Sequence, residues 1–86
     1  MRQAAPSAEL VRRQLELILE SARFRTSDSL RRLLRYTVEA ALAGKGEKLK
    51  EYTIGVEAFG RPASFDPHLD TIVRVQARKL RERLAA

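Results

Sequence analysis

The chain has 86 residues, of which 44% are hydrophobic, so it is long enough for one domain with a modest core and disorder is not expected. It has no cysteine, which excludes disulfides and thiol chemistry, and no apolar run approaches the ~18 residues of a membrane-spanning helix. A net charge of +6 favours an anionic partner such as nucleic acid, although charge alone fits a basic protein without such a partner equally well.

The first predicted element is a helix behind a short tail. Residues 1–6 are expected to be a disordered tail without the apolar core of a secretory signal, which favours a cytoplasmic location and no membrane partner. Ser7 is suited to cap a helix that runs to about Ala22. The apolar residues of this helix recur every three or four positions, at Val11, Leu15, Ile18 and Ala22, with Leu19 alongside. In the connector 23–26, Phe24 is expected to fold back onto the core.

The second predicted helix has the most regular apolar pattern of the chain. Thr26 or Ser27 is expected to cap it, with Asp28 favourable in its first turn. Its inner stripe consists of Leu30, Leu33, Leu34, Val38, Ala41 and Leu42. Gly44 and Gly46 end the helix, because glycine adopts a left-handed cap without strain.

A third helix is predicted from Leu49 to Phe59. One side of it would carry Leu49, Tyr52, Val56 and Phe59. Gly55 in its interior indicates either close approach of a neighbouring helix or a merely tolerated glycine. Gly60 and Pro62 end the helix, and residues 61–69 form a loop with a turn at Asp66-Pro67.

The fourth predicted helix covers residues 71–84, with Asp70 as its cap. Val73, Ala77, Leu80 and Leu84 form its inner stripe, and Arg74, Arg78 and Arg81 share another face. That face suits the major groove of DNA, with a solvated surface as the alternative. Val75 lies outside the stripe and would either contact a thymine methyl or pack under the preceding loop. No segment alternates as a strand does, so the predicted fold is an all-α single domain over residues 7–86, with about four helices and a helix-turn-helix in its C-terminal half.

Catalysis and metal binding find little support in the sequence. His68 is the single histidine, and Asp66, His68 and Asp70 are close in sequence without a convergent ligand spacing. The segment 44–48 lacks the complete phosphate-loop pattern. We therefore expect no enzyme activity, no cofactor and no metal site.

Two segments, 50–60 and 71–84, resemble the OmpR/PhoB-type winged helix-turn-helix family. The signature of its recognition helix corresponds to Val73, Val75, Leu80, Arg81 and Leu84. Residues 50–54 and 65–67 are similar to the version found at the N-termini of larger bacterial regulatory proteins. The resemblance covers residues 29–84 and implies a DNA-binding module of a transcriptional regulator, with helix 71–84 in the major groove of double-stranded DNA.

The resemblance also implies which residues bind. The groove and its phosphate walls would be contacted by Arg74, Val75, Gln76, Arg78, Lys79 and Arg81, and backbone phosphate near the start of the preceding helix by Lys48, Lys50 and Thr53. Arg74 departs from the family, which usually has an acid there. The family's β-hairpin wing has no counterpart, and a helix replaces its N-terminal sheet. The chain is accordingly expected to be either a fragment whose C-terminal domains are missing or a wingless relative.

A helical protein-interaction or dimerisation module is the alternative function. In the first helix, Leu10, Leu17 and Leu19 widen the apolar stripe beyond one face, which favours a homodimer through this helix. The two functions are compatible, because helix-turn-helix proteins commonly bind paired half-sites as dimers.

Overall fold

The computed structural model describes residues 7–85; the predicted tail 1–6 lies outside the described residues. Its four α-helices are α1 (Ala8–Glu20), α2 (Asp28–Leu42), α3 (Glu51–Glu57) and α4 (Ile72–Ala85), and a 3₁₀ turn (Gly46–Leu49) lies between α2 and α3. Residues 7–85 contain no strand, so the predicted all-α class is confirmed. None of the described helices combines the length and apolar character needed to cross a membrane.

Helix α1 begins as predicted and ends two residues early. The Ser7 hydroxyl accepts a hydrogen bond from the Leu10 amide at 3.1 Å, which satisfies one free donor of the first turn. The helix stops at Glu20 because Ser21 has an extended backbone, and the Ser21 hydroxyl donates to the Ile18 carbonyl at 2.7 Å. Ala22 is therefore exposed instead of forming part of the core.

Helix α2 supplies the largest share of the core. Leu30, Leu33 and Leu34 are buried as predicted, but Ala40 is buried in place of Ala41. Ala40 follows Leu33 by two helical turns and so lies on the same side of the helix. Helix α4 packs on α2 more extensively than any other element does, and this widens the buried face beyond a single stripe. The predicted cap at Ser27 makes no side-chain hydrogen bond.

The prediction of one helix from Leu49 to Phe59 is wrong. Lys50 has an extended backbone with ψ 146°, and it separates the 3₁₀ turn from α3. Ile54 and Gly55 are buried while Leu49 and Tyr52 are exposed, so α3 turns a different side to the core from the one predicted. Of the four residues predicted for the inner side, Phe59 alone is fully buried.

Gly55 makes room for an aromatic ring. A β-carbon at Gly55 would lie 2.2 Å from Cε2 of Phe65, and the Phe65 side chain is buried. The close neighbour expected at Gly55 is thus a ring from the connection between α3 and α4, and not a helix. The same connection is held by a bond from the Arg61 amide to the Gly55 carbonyl at 3.0 Å and by the Tyr52 hydroxyl, which donates to the Ala63 carbonyl at 2.7 Å.

Candidate nucleic-acid interface

Helix α4 is fixed by its inner side. Val73 and Leu80 are buried and Ala77 is half-buried, while α2 and α3 both pack against the helix. Leu84, predicted as the last residue of the inner stripe, is 50% exposed, so the buried side of the helix ends at Leu80. On the opposite side of α4 the charged residues 78, 79, 81, 82 and 83 are exposed, and Val75 is half-buried.

Asp70 fixes the start of α4. One oxygen of its carboxylate accepts from the Ile72 amide at 3.1 Å, and the other accepts from Nε of Arg61 at 2.8 Å. These two hydrogen bonds, Arg61 foremost, hold the pKa of Asp70 below its ordinary value. Asp70 thus provides the predicted side-chain oxygen at the helix start, and it also ties that start to the connection from α3.

The exposed side of α4 has a crest with a cationic flank on each side. At about 100° per residue, Arg78 and Glu82 lie opposite the buried Val73 and Leu80 and form the crest. The first flank consists of Arg74 and Arg81, and the second flank of Lys79 and Arg83. All six of these crest and flank residues are exposed. The three arginines predicted to share a face lie within about 60° of one another, with Arg78 at the crest and the other two beside it.

Val75 and Gln76 are both half-buried. By helical phase Val75 lies beside the crest, next to the second flank, whereas Gln76 lies nearer the core. The Val75 side chain therefore stays partly accessible next to Arg78, and Gln76 is the less accessible of the two.

Arg74 is the one cation of α4 that pairs with a carboxylate among residues 7–85. Its Nε lies 2.9 Å from Oε2 of Glu51 in the first turn of α3. That oxygen is buried without a hydrogen bond, so the contact is an ion pair whose N–H is not aimed at the acceptor. The Arg74 side chain is 60% exposed, and a pair this exposed stabilises the fold by about 0–1 kcal/mol.

Lys48 lies in the 3₁₀ turn and is engaged within the protein. Its Nζ is 3.0 Å from Oε1 of Glu57, and its carbonyl accepts from the Tyr36 hydroxyl at 2.9 Å. The same hydroxyl is 2.9 Å from the Glu57 carboxylate. Burial and the hydrogen bond to Glu57 raise the pKa of Tyr36 to about 12, and the Lys48 hydrogen bond lowers the pKa of Glu57. These contacts direct Lys48 to the junction of α2 with α3.

Lys50 and Thr53 flank the start of α3. Lys50 is exposed and Thr53 is half-buried. Between them Glu51 places a carboxylate in the same turn, which reduces the positive potential that a phosphate would meet there. The exposed cations predicted to bind are therefore concentrated on α4, with Lys50 as the exposed one beside α3.

Sequence reasoning missed one arginine pair at the end of α4. Nη1 of Arg23, in the connection from α1 to α2, donates to the Arg83 carbonyl at 3.1 Å. Arg83 in turn donates to the Arg23 carbonyl. The two residues are 60 positions apart in sequence, and no local pattern signals a contact at that separation.

The acidic residues around His68 are used locally. The Asp66 carboxylate accepts from the His68 amide at 2.9 Å, and Asp70 pairs with Arg61. In the part of the chain that the structure describes, no group of three or more histidine, cysteine, aspartate or glutamate residues is placed to hold a metal ion.

Comparisons with protein-family models, with curated proteins and with solved structures find no match to this chain. The resemblance to the winged helix-turn-helix family therefore stays a prediction.

Proposed function

We propose that this chain is the DNA-binding module of a bacterial transcriptional regulator and that α4 enters the major groove of double-stranded DNA. The observation that carries the proposal is the division of α4 into a packed side and a cationic side. Arg78, Lys79 and Arg81 are exposed there, and none of them belongs to an ion pair among residues 7–85. Arginine presents a planar fork of donors that matches guanine edges and phosphates.

The dimensions of α4 fit this role. Its 14 residues make a helix of about 21 Å, and the major groove is about 12 Å wide. A helix of this length laid in the groove reaches both of its walls. In this arrangement the crest, with Arg78 and the neighbouring Val75, faces the base edges, and the two flanks face phosphates. Helix α3 and the connection anchored by Phe65 act as the supporting part of a helix-turn-helix.

Salt dependence is the first test of the proposal. In fluorescence anisotropy with a labelled duplex, log K should fall linearly with log salt, with a slope of about −0.9 per phosphate contacted. Arg78→Ala and Arg81→Ala should each weaken binding about tenfold, as expected for the loss of a charge-assisted contact. Both variants should keep the wild-type thermal melt, because neither side chain contributes to the core.

Arg13→Ala is the matched control. Arg13 is exposed on α1 and pairs with Glu9 one turn away, so its loss removes the same charge at a distance from α4. If Arg78→Ala, Arg81→Ala and Arg13→Ala all bind duplex as the wild type does, the DNA-binding proposal is wrong.

A specific observation favours a second function, as a protein-interaction or dimerisation module. Leu10 and Leu17 on α1 are 53% and 59% exposed. Beside them a groove of about 330 Å³ runs between α1 and α2; it is lined by Leu10, Val11, Gln14, Leu15, Ile18, Leu34 and Val38. A second copy of the chain that covered this groove would remove Leu10 from water, and it would reach Leu17 two turns further along the same side of α1.

Sedimentation velocity tests the second function. A homodimer through α1 predicts a concentration-dependent shift to the dimer that Leu17→Gln abolishes. The conservative variant Leu17→Met should retain the shift. A wild type that remains monomeric at high concentration would exclude the homodimer and leave the DNA-binding proposal untouched.

A further inference from the structure

The contact of Arg23 with Arg83 joins the first connection of the chain to the end of the last helix. Each guanidinium donates one hydrogen bond to the backbone carbonyl of the other residue. We call these two residues the arginine clasp. The reciprocal bonds hold each positive side chain against the backbone of the other residue.

The clasp has donors to spare and no internal counter-charge. A guanidinium carries five N–H donors, and each arginine of the clasp uses one of them on the other's carbonyl. Neither residue is part of an ion pair with a carboxylate within residues 7–85. The donors left over on two arginines joined in this way favour an anion that can accept several hydrogen bonds, and a phosphate group has that character.

The position of the clasp on α4 indicates where such a phosphate would come from. Arg83 and Lys79 form the second flank of the helix, about 180° around from Arg74 on the first flank. A helix seated in the groove with its first flank at one wall therefore brings the clasp to the other wall.

We propose that the arginine clasp binds a backbone phosphate of duplex DNA on the wall of the major groove opposite to Arg74 and Arg81. This inference rests on the proposed function, and it adds a contact from the α1–α2 connection to a site otherwise built on α3 and α4. A phosphate contact fixes the register of the helix in the groove and carries no base preference. The clasp therefore sets affinity and orientation, and the crest sets sequence preference.

The experiment uses four variants of the chain in duplex-binding titrations across a range of salt concentrations. Arg23→Gln and Arg83→Gln should each weaken binding about tenfold and reduce the slope of log K against log salt by about 0.9. The double variant should lose little more than either single variant, because both arginines serve one phosphate. The matched control Arg13→Gln removes the same charge from α1 and should leave the slope unchanged.

Folding is separated from binding by a conservative variant. Arg23 also bonds the last turn of α4, so Arg23→Gln is compared with Arg23→Lys by thermal melting. Arg23→Lys keeps the charge and should restore most of the salt slope whatever its effect on the melt. If both substitutions lower the slope equally, the role of Arg23 is structural and the proposal fails.

The remaining outcomes distinguish the clasp from the site as a whole. If Arg23→Gln behaves as Arg13→Gln does while Arg78→Ala still weakens binding, the clasp proposal is wrong and DNA binding stands. If Arg78→Ala also has no effect, the proposed function itself fails. The last comparison uses single-stranded DNA of the same length. If the clasp variants lose affinity for single-stranded and duplex DNA equally, the assignment to a groove wall is wrong.

Discussion

Helices α2 and α4 each carry several arginines, yet they use them differently. On α2, Arg32 lies 3.0 Å from Asp28, Arg35 lies 3.1 Å from Glu16 of α1, and Arg31 donates to the Leu19 carbonyl at 2.5 Å. On α4, Arg74 alone has a carboxylate partner among residues 7–85. The three arginines of α2 all bond to groups within the chain, whereas Arg78 and Arg81 of α4 belong to no ion pair among residues 7–85.

This difference shows that the number of cations on a helix says little about function until their partners are known. The two helices have similar arginine content, and sequence patterns place arginines off the apolar stripe in both. A paired arginine must give up its carboxylate before it can bind a phosphate, and an unpaired one gives up only water. The contrast therefore predicts that the unpaired arginines of α4 contribute more to phosphate binding than the paired arginines of α2 do.

The largest expected effect is a loss of affinity for duplex DNA when two arginines are replaced on α4, compared with the same replacement on α2. Arg78→Gln with Arg81→Gln should weaken duplex binding about 100-fold, at roughly 1–3 kcal/mol per contact. Arg32→Gln with Arg35→Gln removes the same net charge and should have a much smaller effect, limited to screened long-range attraction. Equal losses in anisotropy would show that only total charge matters and would remove the contrast between the helices.

The next effect concerns fold stability without any change of charge. Gly55→Ala places a methyl group against the buried Phe65 ring, so we expect a loss of about 1–3 kcal/mol in the free energy of unfolding from overpacking. Gly46→Ala is the control, since a β-carbon there meets no atom within 4 Å. Urea denaturation measures both. The folded fraction of Gly55→Ala should still bind DNA with wild-type salt dependence, which would separate binding from stability.

A smaller effect of opposite sign is expected when Arg74 is released. Glu51→Gln removes the ion-pair partner of Arg74 and a negative charge beside the proposed DNA-binding side of α4. Arg74 then resembles the unpaired arginines of that helix. Duplex affinity should rise about two- to fivefold, the size of an exposed pair. Glu82→Gln, at the crest, removes the same charge and leaves the ion pair of Arg74 with Glu51 in place. If the two variants improve binding equally, then pairing with Glu51 does not restrain Arg74.

The smallest effect is a pH dependence of fold stability that arises from a carboxylate paired with an arginine. The Arg12 hydrogen bond lowers the pKa of Glu39 from its ordinary 4.5. A lowered folded-state pKa means that the stabilisation is complete above pH 4.5 and is lost as pH falls through the folded pKa. The urea midpoint should therefore drop on acidification below about pH 4.5. Arg12→Gln should show a shallower drop, and an identical pH profile would contradict the prediction.

The sequence predicted those features that depend on residues close together in the chain. The all-α class, the cap at Ser7, the buried leucines of α2 and the place of Phe24 all follow from helical periodicity and capping chemistry. The break at Lys50 was missed because the apolar spacing across it imitates one continuous helix. The burial of Ile54 in place of Tyr52 was missed as well.

Contacts between residues far apart in the chain could not be predicted from the sequence. Gly55 signalled a close approach, but the identity of its neighbour depends on how the connection folds and where Phe65 comes to lie. The pairing of Arg74 with Glu51 depends on how α3 and α4 are set against each other. Helical periodicity gives the direction in which a side chain leaves its own helix. It does not identify the residue of another element that the side chain contacts.

The packing of α4 has a consequence for the order in which the protein is made. The buried leucines of α2 meet Val73 and Leu80 of α4 in one core, and α2 packs on α4 more than on α1. Synthesis adds about 5–20 residues per second, so α1 and α2 leave the ribosome seconds before their partner exists. The nascent chain must keep Leu30 and Leu33 from other contacts until α4 emerges. Completion of the core and appearance of the cationic surface are consequently a single event.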